Sequence, residues 1–148
     1  MAMYGKVVVA IDLEDEAGSA VLMRRAADIA ADTGARLTLV HVRPDLPVSY
    51  ARALPEGHDF EQQEAAERAL EGLAAAHGCG ESLDGAFAPA GTIASEVNSL
   101  AERLGADAVL VGAHRMDLGR ALLGTQTSAI ARSAPCDVVV VCAEDNRG

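Results

Sequence analysis

No stretch of this 148-residue chain approaches the length needed to cross a bilayer: half of the residues are hydrophobic, but the apolar runs are short and interrupted, whereas a spanning helix takes roughly 18 in a row. Lysine is almost missing. Lys6, at the start of the first apolar run, is the one lysine, and no G-x-x-x-x-G-K-[ST] occurs. Any nucleotide held here is therefore held without the lysine that phosphoryl-transfer enzymes use to grip phosphates. Positive charge is scarce as well. A formal net charge of −10 argues against a nucleic-acid surface, which needs clustered Lys and Arg. It does not exclude a small phosphate ligand, because a local nest of backbone N–H groups binds an anion inside an acidic protein. Cysteine is limited to Cys79, Cys136 and Cys142, odd in number and without C-x-x-C spacing, which argues against a disulfide framework or a zinc site. Cys136 and Cys142 read instead as small buried hydrophobes beside an apolar strand. No G-x-S-x-G elbow supports Ser-His-Asp chemistry, and no catalytic residue is assigned. Met1–Lys6 lacks the layout of a signal peptide, so the expectation is one cytoplasmic domain over residues 1–148.

What is present is an alternation of two periods. Lys6–Ile11 is a continuous, β-branched apolar run, as expected of a strand covered on both faces. Leu13–Glu16 is an acidic loop, and Ala17–Asp32 carries Leu22, Ala26, Ile29 and Ala30 on one side of a helix, closed by Gly34. Leu37–Val42 is a second strand, completing a βαβ unit. Arg43–His58 loses periodicity around Pro44, Pro47, Pro55 and Gly57 and reads as an irregular flap or connector. Asp59 is the expected cap of a helix reaching about His77, with Phe60, Ala66, Leu70 and Leu73 as its buried face. Ser82–Ala88, alternating through Leu83, Gly85 and Phe87, is a weaker strand suited to a sheet edge. A third long helix follows through Ile93, Val97, Leu100 and Leu104 to Gly105. Asp107–Val111 is the fourth strand, Gly124–Ser133 the fourth helix and Asp137–Cys142 the fifth strand, with a polar, frayed tail over 143–148.

Strict β/α alternation with short turns predicts an α/β fold, a single doubly wound, Rossmann-like parallel sheet with right-handed crossovers. Ligands in such sheets lie beyond the C-terminal strand ends, where the strand order reverses. That directs attention to Ala10–Asp12, to Val42 with Arg43, and to the stretch from Val109 to Ser128. This last stretch runs from an apolar strand through a glycine-punctuated loop into a helix. Glycine lets backbone N–H groups approach an anion, and a helix N-terminus offers free donors with a favourable dipole. On the local pattern alone, phosphate binding and plain connection both remain open.

With these residues in place, nearly the whole chain resembles the universal stress protein family. The resemblance is carried by Val7-Val-Val-Ala-Ile-Asp12, Leu39-Val-His41-Val42, Ala106-Asp107-Ala-Val-Leu-Val-Gly112-Ala-His114, Gly124-Thr125 and Ala134-Pro135-Cys136-Asp-Val-Val-Val-Val. It implies a five-stranded parallel sheet of order 3-2-1-4-5 with four helices, adenine-nucleotide binding in many members, and dimerisation through the last strand. The nucleotide-binding pattern G-x2-G-x9-G-[ST] is met at its ends by Gly112 and Gly124-Thr125, while Arg115 stands at the middle glycine and the spacing is one residue shorter. The form G-x-H-R-x8-G-[ST] resembles a second adenine-nucleotide-binding branch, in which a guanidinium at Arg115 replaces N–H contacts with charge-assisted bonds. The alternative for Arg115 is a solvated loop arginine.

Carried over residue by residue, the resemblance places Ala10 where the family has an adenine-side proline, Val42 backbone at the adenine edge and Asp12 at the ribose or adenine. Val111 and Gly112 meet the ribose and first phosphate, with His114 and Arg115 following. Gly124, Thr125, Gln126 and Thr127 receive the outer phosphates. The implied ligand is ATP, or AMP or ADP, with Mg²⁺ bridging phosphates rather than held by a protein carboxylate cluster. Asp12 reads equally as a loop or capping carboxylate, His114 as a loop-ordering residue rather than a general base, His41 as a satisfied, half-buried histidine, and His58 and His77 as surface residues. Three functions follow. The first is a nucleotide-binding stress-response regulator whose occupancy orders the 43–58 and 113–123 loops for an unknown protein partner. The second is a homodimeric interaction module without nucleotide. The third is a slow ATPase or self-phosphorylating protein with Thr125, Thr127 or Ser128 as acceptor. No membrane or nucleic-acid partner is expected.

Overall fold

The computed structural model describes residues 3–115, 121–122 and 125–142. Five strands form one parallel sheet: β1 (Lys6–Ala10), β2 (Arg36–Val40), β3 (Leu83–Phe87), β4 (Ala108–Gly112) and β7 (Asp137–Val141), in the order β3-β2-β1-β4-β7. The five main strands thus lie in the predicted 3-2-1-4-5 order. Two short strands, β5 (His114–Arg115) and β6 (Ala121–Leu122), pair antiparallel after β4, with His114 opposite Leu122. The helices are α1 (Glu16–Thr33), α2 (Val48–Ala53), α3 (His58–Ala76), α4 (Ile93–Leu104) and α5 (Thr125–Ser133).

The apolar runs are continuous because both faces of the sheet are covered. Val7, Val9, Leu37, Leu39 and Leu110 pack with Leu22, Met23, Ala26, Leu70 and Ala74 of α1 and α3. Their neighbours Val8, Val40, Val109 and Val111 pack with Val97, Leu100 and Ala101 of α4 and Ile130 of α5. The period of two sends consecutive residues of one strand to opposite cores. Gly34 closes α1 in the left-handed conformation at φ 72°, its N–H donating to Ala30 O.

Several expectations change. Asp15, not Asp12, caps α1, its carboxylate accepting from Gly18 N–H. The 43–58 segment is not wholly irregular, since α2 forms within it; α2 has no buried residue, so no apolar stripe announces it. Gly57 stands at the N-cap of α3, and Asp59 lies in its first turn, where its carboxylate pairs with Arg43 instead of capping. Phe60 is 63 % exposed rather than buried. At 19 residues α3 is much longer than the five-residue strand it covers, about 28 Å against 17 Å, so its first turn overhangs the sheet. The alternation foreseen for β3 also slips. A register shift between Leu37 and Thr38 leaves Ala86 packed in the core, while Phe87 is exposed and its ring lies over Gly85. Cys142 is exposed, Cys136 half-buried and Cys79 buried. Cys142 falls one residue past the end of β7, beyond the covered part of that strand. The frayed tail expected over 143–148 lies outside the described residues.

Candidate functional site

β1 and β2 separate at their C-terminal ends, and the backbone shows why. Ile11 N–H still donates to Val40 O at 2.8 Å, the last rung between the two strands. The next rung would take Leu13 N–H to Val42. Instead Leu13 N–H donates to Nδ1 of His41 at 3.2 Å, and the same nitrogen lies 3.2 Å from Ile11 O. The His41 ring is thus wedged where the ladder would continue, and β1 peels away into the loop before α1. His41 is half-buried and satisfied, as the sequence suggested.

On its other side β2 continues toward the chain after β3: His41 N–H donates to Phe87 O, Arg43 N–H to Pro89 O, and Gly91 N–H to Arg43 O, at 2.8–3.0 Å. Residues 41 and 43 therefore point their peptide groups at β3, and the intervening Val42 points its N–H and C=O the opposite way. That direction is the gap left by β1. Among the described residues neither group of Val42 has a partner.

The gap is part of a cavity of about 580 Å³, within the range of small-molecule sites. Ala10, Ile11 and Asp12 line it at and just past the end of β1, Val40, His41 and Val42 at and just past β2, and Val111, Gly112 and Ala113 at and just past β4. Gln126 and Thr127 of α5 and Gly91 and Thr92 before α4 also line it. It sits where the chain order reverses, with β2 on one side of β1 and β4 on the other, the position at which open α/β sheets bind ligands.

The β4 end of the cavity is tied to α5. Thr127 is 7 % exposed, and its hydroxyl donates to Gly112 O at 3.2 Å. A Cβ built on Gly112 meets nothing within 4 Å, so this strand end is open to a ligand. The opposite rim is acidic: Asp12, Glu14 and Asp15 line it, and no Lys or Arg does so among the described residues. Asp12 Oδ1 accepts from Glu14 N–H at 2.9 Å, and Asp12 O accepts from the Ser19 hydroxyl at 2.7 Å. Asp12 thus combines the loop-carboxylate role with a place on the cavity wall.

The structure accordingly brings together Ala10, Asp12, Val42, Val111, Gly112, Gln126 and Thr127 around one space. His114 and Arg115 begin the hairpin that leaves β4, and Thr125 begins α5. Gly124 lies outside the described residues. Among the described residues no group of three or more His, Cys, Asp or Glu gathers to hold a metal ion, and no helix is long and apolar enough to cross a membrane. The sequence reading missed His41 as the wedge that opens the site, and Gly91 as part of its wall. Gly91 adopts φ 150°, and a Cβ there would press on the Glu96 side chain at 2.7 Å. A glycine two residues before an apolar-periodic helix was the available signal.

Residues 3–141 match the Universal stress protein family. The chain is 33 % identical to Universal stress protein A homolog 1 of Coxiella burnetii over 142 residues, covering 93 % of this chain and 96 % of the relative. Among solved structures, a universal stress protein in complex with cAMP is similar at 25 % identity and a TM-score of 0.66, covering 97 % of this chain and all of the other. The universal stress protein of Archaeoglobus fulgidus in complex with dAMP shares the fold, with 16 % identity, a TM-score of 0.61 and coverage of 94 % and 98 %.

Proposed function

From the premise that this chain belongs to the universal stress protein family, we propose that it is a cytoplasmic, adenine-nucleotide-binding regulatory protein of the stress response. Its ligand is ATP, AMP or ADP, with Mg²⁺ accompanying the polyphosphates. The observation that carries this reading is the free peptide pair of Val42 at the cavity wall. A donor and an acceptor side by side, in the plane of a strand end, complement adenine: N1 accepts from Val42 N–H and the exocyclic amine donates to Val42 C=O. Buried polar groups left unpaired by the wrong partner give such a site its selectivity. The complexes of related proteins with cAMP and dAMP support the same ligand class.

In this reading Ala10 flanks the base and Asp12 faces the ribose. Val111 and Gly112 lie under the ribose and first phosphate, and Gly124, Thr125, Gln126 and Thr127 present backbone N–H groups at the head of α5, with the Thr125 hydroxyl, to the outer phosphates; the Thr127 hydroxyl stays on Gly112 O. His114 orders the intervening loop, and Arg115 adds a guanidinium for the phosphates. The chain's contribution is binding and ordering, with any hydrolysis slow and incidental. Occupancy then alters a surface, over the 43–58 and 113–123 segments, offered to a protein partner. Titration calorimetry with Mg·ATP, ATP alone and AMP tests the proposal. Saturable heat accompanied by a rise in melting temperature is expected; no heat and no thermal shift at millimolar nucleotide would refute it.

One observation favours a second reading, a dimeric interaction module that binds no nucleotide: the acidic rim of Asp12, Glu14 and Asp15 repels a phosphate chain laid across it. Heat release of the purified protein followed by anion-exchange chromatography separates the two, since adenine nucleotide co-purifies only under the first.

A further inference from the structure

Arg43 lies outside the cavity wall, yet both of its chain neighbours, Val42 and Pro44, line it. Its side chain is only 14 % exposed, and its guanidinium is held at two points. Nε donates to Ala88 O at 2.7 Å, and Nη1 donates to Asp59 Oδ1 at 2.7 Å. Its backbone adds two bonds to the same region, N–H to Pro89 O and C=O from Gly91 N–H. A single residue therefore joins the end of β2, the chain between β3 and α4, and the first turn of α3. Pro89 has no N–H to continue the ladder from His41, so the bonds of Arg43 are what keep the two segments in register past that break.

Two consequences converge on the cavity. The chain at Val42 is held from the β3 side only, because β1 has left the other, and past the His41 N–H bond to Phe87 O it is Arg43 that carries that side. Gly91 is held through the same residue. The ion pair with Asp59 also closes the 44–58 excursion at its base, so that it leaves and returns at one point in the manner of an Ω-loop. The planar fork of the guanidinium suits these two divergent acceptors, which a lysine ammonium could not serve in the same directions.

We propose that Arg43 is a positioning residue for base recognition: by clamping Ala88 and Asp59 it holds the Val42 peptide group in the orientation that reads the nucleobase edge. This inference rests on the nucleotide-binding reading above, and the experiment separates the two. Affinities of the wild-type protein, Arg43→Ala, Arg43→Lys and Asp59→Asn are measured by calorimetry for ATP, ITP and inorganic tripolyphosphate. ITP offers N1–H and a 6-carbonyl, the reverse of adenine at that edge, so the ATP/ITP ratio reports the Val42 peptide directly.

In Arg43→Ala, ATP affinity is expected to fall about tenfold and the ATP/ITP ratio to collapse toward unity, while tripolyphosphate binding stays within about twofold. Arg43→Lys and Asp59→Asn should show the same pattern at smaller amplitude. An Arg43→Ala protein that keeps the wild-type ATP/ITP ratio overturns the inference. So does an equal loss for all three ligands, which is the mark of a general loss of structure; the milder Asp59→Asn variant gives the same discrimination should Arg43→Ala fold poorly. A wild-type protein that binds no ATP overturns the nucleotide reading itself, and this inference with it.

Discussion

Thr127 carries a buried hydroxyl between the mouth of β4 and the first turn of α5, and its bond to Gly112 O ties these two walls of the cavity together. Replacing it with valine keeps the shape and removes the donor. Such a bond contributes about 1 kcal/mol net, so Thr127→Val is expected to lower unfolding free energy by about that amount in urea denaturation, with Thr127→Ser close to wild type. Nucleotide affinity should fall in the valine variant, because Gly112 O loses the partner that orients its peptide. The sequence places Thr127 at the head of the last helix, but its bond to Gly112 O depends on where β4 ends, which the local pattern does not show. His41 and Arg43 were less so. Their roles depend on which backbone groups the fold leaves facing them, and a histidine at a strand end looks the same whether it wedges a ladder open or merely packs. Val42 was named through family resemblance; its availability is a property of ladder parity, which no side-chain pattern reveals.

Between elements, the N-terminal edge of the sheet is pinned by Asp107. Its Oδ2 accepts from Gly5 N–H at 2.8 Å and Lys6 N–H at 2.9 Å, fastening the start of β1 to the turn that leads into β4. The Lys6 and Gly5 amides hold its carboxyl below the usual carboxylate range. A carboxylate whose folded pKa is depressed stabilises fully above its unfolded pKa of about 3.9 and loses that contribution as pH falls through the folded value. The wild-type protein should therefore lose part of its thermal stability below about pH 4. Asp107→Asn should melt lower at neutral pH and show a shallower decline in acid; identical acid limbs for the two proteins in a pH series of melting curves would refute the assignment. Elements this regular were read well from the sequence: α4 begins and ends where its apolar spacing and Gly105 put it, and β1, β2, β4 and β7 shift by only a residue or two. The failures share a cause. α2 buries nothing, α3 overhangs its strand so Phe60 reaches solvent, and the bulge beside β3 turns Phe87 outward. Periodicity reports burial, and each of these elements lies at the edge of the sheet or beyond it.

Across the whole molecule, the exposed sheet margin at β7 has the most to say about assembly. Among the described residues β7 pairs with β4 on one side only, and Val138, Val139 and Val140 remain half-buried although they divide between the two cores. An apolar edge without lysine or proline is an invitation to pair with another strand. A two-fold axis would let the same edge meet itself in an isologous contact, so we expect a homodimer through β7. The ladder supplies a selective test. Ala113 N–H donates to Val141 O, and Val141 lies opposite Gly112, so Val139 and Val141 turn their peptide groups toward β4. Val140 turns its own outward. Proline at 140 removes a donor from the free edge while leaving every β4–β7 hydrogen bond possible, a placement that edge strands tolerate. Sedimentation velocity at micromolar concentration should show a dimer for the wild type and a folded monomer for Val140→Pro. Val139→Pro, which deletes an inward donor, should instead destabilise the protomer. A wild-type monomer, or a Val140→Pro dimer, would place the assembly surface elsewhere.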